Sequence, residues 1–151
     1  MSFAVVLHLI SAVIWVGGMF FAHQMLRPVV AELLEPPLRQ PVWVGVFNRF
    51  FPVVWGAILL IPITGYWMIF GVFGGFGSVG LYVHLMHGLG LLMITLFLYV
   101  YFVPFQKLKA AVAEKAWPLG KAHLDRIRDV VGINTILGIL TIAIGAGGRY
   151  F

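Results

Sequence analysis

The chain has 151 residues, of which 62% are hydrophobic and only 10% are charged, whereas about 25% are charged in a typical soluble domain. This composition excludes a water-soluble globular fold. Because the chain contains no cysteine, it cannot form a disulfide, a thiolate zinc site, an iron–sulfur cluster or a covalently attached c-type haem. The net charge of +5 does not indicate a nucleic-acid partner, since the basic residues are confined to short segments beside apolar runs.

Stretches without charged residues predict four membrane-spanning helices. A helix needs about 20 apolar residues to cross a hydrocarbon layer of ~30 Å. The stretch before Arg27 holds one span, which lacks the features of a cleaved signal peptide and is expected to be retained. The stretch between Arg49 and Lys107 holds two spans, divided by the glycine-rich segment 71–80. The predicted spans are residues 3–26, 51–70, 81–102 and 130–146.

These spans predict an all-α fold, an integral membrane four-helix bundle with up-down-up-down topology. Residues 1–151 are expected to form a single transmembrane domain. Nine of the ten basic residues lie in segments 27–49 and 107–129, which share one side of the membrane. By the positive-inside rule this side is cytoplasmic, so both termini should lie on the outer, periplasmic side of a bacterial inner membrane.

Prolines mark the two connections on the basic side. Four prolines lie in or next to the first connection, which is expected to be a structured link or a short surface helix. The second connection should be a basic helical hairpin that breaks at Trp117-Pro118. Pro62, in the middle of the second span, removes one backbone hydrogen bond and is expected to kink the helix.

Three histidines, His8, His84 and His87, lie well inside the predicted spans, and His23 lies near the inner end of the first. An ionisable side chain within a span is costly and indicates a functional site. His8 and His84 lie at similar distances from the outer ends of two spans that run in the same direction, and His87 lies one turn deeper. Haem iron accepts two imidazoles, and facing helices of a bundle can supply them. We therefore predict one non-covalent b-type haem with His8 and His84 as axial ligands and His87 as the alternative to His84.

Residues on the same helical faces as these histidines are predicted to contact the haem. Trp15 and Met19 share a stripe with His8, while Gly88 and Leu91 share a stripe with His84 and have His87 on their flank. Gly18 allows a flat ligand to approach closely. The predicted cofactor contacts are Trp15, Gly18, Met19, His87, Gly88 and Leu91. The predicted function is electron transfer or redox chemistry with an unidentified redox partner, which leaves oxidoreductase activity open.

Copper is the alternative to haem. Methionine thioethers and histidine imidazoles together suit copper(I), and the spans contain both, which makes copper binding or copper transport a competing hypothesis. His23 has no second in-span histidine at its own level, and His123 lies among basic residues and is expected to be solvated. A purely structural membrane protein is a further alternative, and the oligomeric state, including a homo-oligomer, stays open.

Several short motifs resemble one bacterial family. The run Leu7-His8-Leu-Ile-Ser-Ala-Val-Ile-Trp15-Val-Gly17-Gly18-Met-Phe is similar to the first span of the copper-resistance D family. The runs Val83-His84-Leu-Met-His87-Gly-Leu-Gly-Leu, Tyr101-Phe-Val-Pro104-Phe and Ala146-Gly-Gly-Arg149-Tyr150 are similar to the small four-span members of that group.

The order of elements also resembles the related membrane protoporphyrinogen oxidases, which handle tetrapyrroles. In those enzymes the third span carries a His-x-Lys motif, and Met86 stands here where the lysine would be. The resemblance therefore implies a tetrapyrrole pocket, and with it a tetrapyrrole enzyme as another alternative, whereas the departure at Met86 argues against oxidase activity.

Overall fold

The computed structural model describes residues 2–150, and the ordered elements in that range are helices. The helices are α1 (Ser2–Phe21), a π-helix (Ala22–Leu26), α2 (Arg27–Leu33), α3 (Pro36–Gly71), α4 (Leu81–Phe102), α5 (Pro104–Ala113) and α6 (Trp117–Gly147), with short 3₁₀ turns at Phe76–Ser78 and Gly148–Tyr150. This arrangement confirms the all-α fold class.

Four helical units are long and apolar enough to cross a membrane: Phe3–Leu33, Pro36–Gly71, Leu81–Ala113 and Trp117–Gly147. The predicted four-helix bundle is therefore confirmed, but its helices extend well beyond the predicted spans. The helix of the second span begins at Pro36 rather than near residue 51, because prolines fit the first turn of a helix, where no backbone donor is needed. The fourth begins at Trp117, where the sequence predicted a break.

The first connection is shorter than expected, since α2 continues from α1 through the π-helix and the chain reverses at Leu34 and Glu35. The Arg39 side chain fastens this reversal: its Nε donates to the carbonyl of Leu34 (2.8 Å) and its Nη2 to the carbonyl of Ala31 (2.6 Å). At the opposite end of the bundle, segment 72–80 turns through Gly74 and Gly75, whose positive φ angles of 80° and 111° require glycine.

The two ends of the bundle differ in their connections. The basic end contains the α2–α3 reversal and the α5–α6 hairpin, and the glycine-loop end contains segment 72–80, the start of α1 and the end of α6. Helix α1 packs on α3 and α6, and α4 packs on α6. Gln40 ties α3 to the start of α6, because its Nε2 donates to the carbonyl of Trp117 (2.7 Å).

An aromatic cluster fills the core nearer the basic end. Phe51 lies at its centre, with its ring centroid 5.0 Å from Phe47, 5.5 Å from Phe97 and 4.8 Å from Phe105. Leu108 and Ile127 pack against the same core and are almost completely buried. The basic end is therefore where the helices are held together most closely.

Candidate functional site

His8 faces the second membrane span. Its Nδ1 lies 3.0 Å from the Oγ1 of Thr64, and the Thr64 hydroxyl in turn donates to the backbone carbonyl of Leu60 (2.6 Å). The Thr64 hydroxyl has only one hydrogen, so when it donates to Leu60 its oxygen can only accept from His8 Nδ1–H. In that tautomer the lone pair is on Nε2, from which an imidazole can bind a metal ion. Gly65 lies beside the ring, where a Cβ would be in ordinary contact with His8 Cε1 at 3.5 Å.

His84 and His87 lie beside the glycine loop. His87 Nε2 is hydrogen-bonded to the hydroxyl of Tyr66 (2.7 Å). Both imidazoles contact the ring of Phe76, at centroid distances of 5.6 Å for His84 and 5.2 Å for His87. His84 is exposed and His87 is half-buried. Phe76 and Tyr66 therefore hold this pair of imidazoles at one end of the bundle.

His8 and His87 lie at similar depth, but neither His84 nor His87 contacts His8. Thr64 and Tyr66, which bind His8 and His87, are two residues apart and so differ by only about 3 Å along α3. They point to different flanks of that helix, because two residues correspond to a rotation of about 200°. Between residues 2 and 150, no hydrogen bond or ring contact joins His8 to His84 or His87.

The predicted haem contacts divide into two groups. Trp15, Gly18 and Met19 line an apolar cavity of about 180 Å³ nearer the basic end, which is smaller than the roughly 300–1,000 Å³ of typical ligand sites. A Cβ on Gly88 would have no neighbouring atom within 4 Å, and Leu91 is exposed. The structure does not bring the two groups together, and their assignment as haem contacts, like the ligand roles of His8, His84 and His87, stays a prediction.

Two methionine thioethers, those of Met86 and Met93, lie between α4 and α6; we call them the methionine row. The Sδ of Met86 lies 3.1 Å from the position of a Cβ on Gly145, and the Cε of Met93 lies 3.1 Å from that of a Cβ on Gly138. Thr141 lies between these two glycines in sequence, and its hydroxyl is 3.9 Å from the Sδ of Met93. This row was not predicted from the sequence, although the same seven-residue spacing separates both methionines and both glycines and could have revealed it.

The remaining in-span histidine lies towards the basic end. His23 packs on Gly132, where a Cβ would lie 2.9 Å from its Nε2. It lines a larger cavity of about 340 Å³ rather than the apolar one. Among the described residues, no group of three or more His, Cys, Asp or Glu side chains could hold a metal ion.

A family model described as CopD, copper resistance protein D, matches residues 44–147, from the first half of α3 to the end of α6. No curated protein and no solved structure matches the chain. The family match supports the copper hypothesis over the haem hypothesis, and it lends no support to a protoporphyrinogen oxidase. With most of its length covered by the match and four helices able to cross a membrane, the chain is a multi-pass membrane protein that belongs to the copper resistance protein D family.

Proposed function

We propose that the protein is a copper-handling membrane protein that binds copper(I) along the seam between α4 and α6, from the glycine-loop end to the middle of the bundle. The observation that carries this proposal is the pair of thioethers, Met86 and Met93, in the seam between α4 and α6. The family match supports copper as the ion. The copper hypothesis includes binding and transport. These methionine side chains support copper binding directly, because they supply donors for the ion.

The chemistry of the donors suits copper(I). Thioether sulfur is a soft ligand that favours copper(I), and imidazole binds copper as well. Met86 and Met93 are seven residues apart, about 10 Å along α4, so each would hold the ion at its own position along the seam rather than both at once. Glycines on α6 make room for both side chains. His84 and His87 lie on the same helix at the glycine-loop end and offer nitrogen donors where an ion would first meet the protein.

His8 supplies a further nitrogen donor at the same end. Its hydrogen bond to Thr64 orients the ring and leaves Nε2 free to bind an ion, as the outer partner of a histidine ligand does in metal sites. The family match does not extend to α1, so the role proposed for His8 rests on this hydrogen bond alone.

A competition titration tests the proposal. Purified protein is titrated with copper(I) against a chromophoric copper(I) chelator, for the unmodified chain and for Met93→Leu. Leucine has nearly the volume of methionine and preserves packing, but it cannot donate to a metal. We expect Met93→Leu to weaken copper(I) binding by about tenfold, equivalent to ~1.4 kcal/mol.

Met25→Leu is the matched control, because Met25 is exposed on the π-helix and lies outside the seam. Its copper affinity should equal that of the unmodified chain. Equal affinity in Met93→Leu would contradict the proposal. A haem Soret band and α-band in the reduced-minus-oxidised spectrum of the purified protein would instead favour the haem hypothesis.

A further inference from the structure

The larger cavity, of about 340 Å³, lies at the basic end and has a mixed wall. Helices α2, α3 and α6 and the π-helix enclose it. One part of the wall is apolar and includes Val30, Trp43 and Ile127, all buried. The other part carries charge and consists of Arg27, Arg39, Lys121, Arg128 and a single carboxylate, Asp125.

The positive charge of this wall is only partly neutralised inside the protein. Lys121 and Arg128 share Asp125, at 2.8 Å and 3.1 Å, and Arg128 also pairs with Asp129 at 3.0 Å. Arg39 donates only to neutral backbone carbonyls. Arg27 makes no ion pair or hydrogen bond to another residue of the described chain. Two guanidinium groups therefore face the cavity without an anion.

The apolar part of the wall continues into the bundle. Ala22, Phe47 and Val131 line both this cavity and the apolar cavity of about 180 Å³. The second cavity is bounded almost entirely by hydrocarbon and aromatic side chains, including Phe50 and Val54. An occupant that reaches both cavities must therefore be anionic at one end and apolar at the other.

We propose that the basic cavity binds an anionic phospholipid, with its phosphate at Arg27 and Arg39 and an acyl chain along the wall of Ala22, Phe47 and Val131. Guanidinium groups recognise phosphate through paired hydrogen bonds and charge. Arg27 has its whole guanidinium available for this, whereas Arg39 has Nε and Nη2 bound to backbone carbonyls and contributes its charge and its other N–H groups. Basic pockets between membrane helices bind acidic headgroups in the same way. A free phosphate ion would use the two arginines but would leave the apolar wall and the second cavity without a partner.

Native mass spectrometry of the purified chain in detergent tests this proposal. Dioleoyl phosphatidylglycerol, dioleoyl phosphatidylcholine and inorganic phosphate are added in separate titrations. We expect one phosphatidylglycerol to bind, with phosphatidylcholine bound about tenfold more weakly. Arg27→Gln should weaken phosphatidylglycerol binding about fivefold, since each basic residue near such a lipid contributes on that scale.

Arg27→Gln should leave the fold intact, because the Arg27 side chain makes no hydrogen bond or ion pair with the described residues. Lys107→Gln is the matched control: it removes one positive charge at the same end from an exposed position outside the cavity, and it should bind phosphatidylglycerol like the unmodified chain. Equal binding of the two lipids, or no loss in Arg27→Gln, would overturn the proposal. Displacement of phosphatidylglycerol by inorganic phosphate at similar concentration would identify a soluble-anion site and also overturn it.

Discussion

The two ends of the bundle differ in how closely their helices pack. The buried residues of α4 are Met93, Phe97 and Val100, all in the part nearer the basic end. Those of α6 end at Gly138, before the stretch that reaches the glycine-loop end. His8, His84 and His87 lie nearer the glycine-loop end, whereas Met93, the aromatic cluster and both cavities lie nearer the closely packed basic end.

This difference has a physical basis in the membrane. Lipid tails are as apolar as leucine, so membrane helices associate mainly through van der Waals packing and interhelical hydrogen bonds. The aromatic cluster supplies that packing near the basic end. Near the glycine-loop end the helices are joined instead by polar contacts such as His8–Thr64 and His87–Tyr66. The aromatic packing and the histidines proposed to bind copper(I) therefore lie towards different ends of one bundle, and substitutions can separate their effects.

The largest expected effect is the loss of an aromatic ring near the basic end. Phe51 is 3% exposed and contacts four other rings, so Phe51→Ala leaves a cavity in the core. We expect the free energy of unfolding, measured by denaturation in mixed detergent, to fall by about 3 kcal/mol. Leu91→Ala is the comparison nearer the glycine-loop end. Leu91 is 47% exposed, and its loss should cost less than about 1 kcal/mol. Equal losses would show that packing does not differ between the ends.

Adding a methyl group at Gly138 of α6 or at Gly88 of α4 should change the free energy of unfolding by less than the loss of Phe51, but in opposite directions. A Cβ on Gly138 would lie 2.7 Å from Val16 Cγ2 and 3.1 Å from Met93 Cε, so Gly138→Ala must push α6 away from α1 and α4. We expect a loss of about 2 kcal/mol in the free energy of unfolding. At Gly88 no atom lies within 4 Å of the new methyl group, so Gly88→Ala should stabilise the helix by about 0.5 kcal/mol. If Gly88→Ala lowered the free energy of unfolding in the same detergent assay, the space beside Gly88 would not be open.

The sequence predicted the number of membrane spans because its three charge-free stretches have room for four, two of them in the long stretch between Arg49 and Lys107. It did not predict where α3 and α6 begin, since their first turns lie outside the apolar stretches and are set by prolines that end one helix and start the next. Residue counting along the spans predicts that His8, His84 and His87 lie at similar depth, and this stays a prediction. The hydrogen-bond partners of His8 and His87 could not be predicted, because periodicity along α1 and α4 does not reveal that Thr64 and Tyr66 of α3 approach from the side.

The methionine row shows a different limit. The sequence-based predictions for α4 concern the face that carries His84 and Gly88. Met86 and Met93 lie on the face towards α6, where Gly138 and Gly145 admit them. In the sequence, the two methionines and the two glycines share a spacing of seven residues. Only the packing of α4 on α6 shows that the methionines face the glycines.

The smallest expected effect concerns a single hydrogen bond at the glycine-loop end. Thr64 orients His8 and determines which of its nitrogens carries the proton. Valine has the shape of threonine but cannot accept this bond, so Thr64→Val releases the ring and lets the proton move to Nε2, the nitrogen proposed to bind copper(I). We expect copper(I) affinity to fall several-fold, about 1 kcal/mol, in the competition titration.

A double-mutant cycle separates this positioning role from a general loss of packing. If Thr64 acts on copper only through His8, the variant carrying both His8→Ala and Thr64→Val should bind copper(I) no more weakly than His8→Ala alone, because the orienting bond has nothing left to orient. Additive losses in the double variant would instead mean that Thr64 supports copper binding through the helix backbone around Leu60, independently of the imidazole. Unchanged affinity in all three variants would remove His8 from the copper site and leave the donors on α4 to bind the ion.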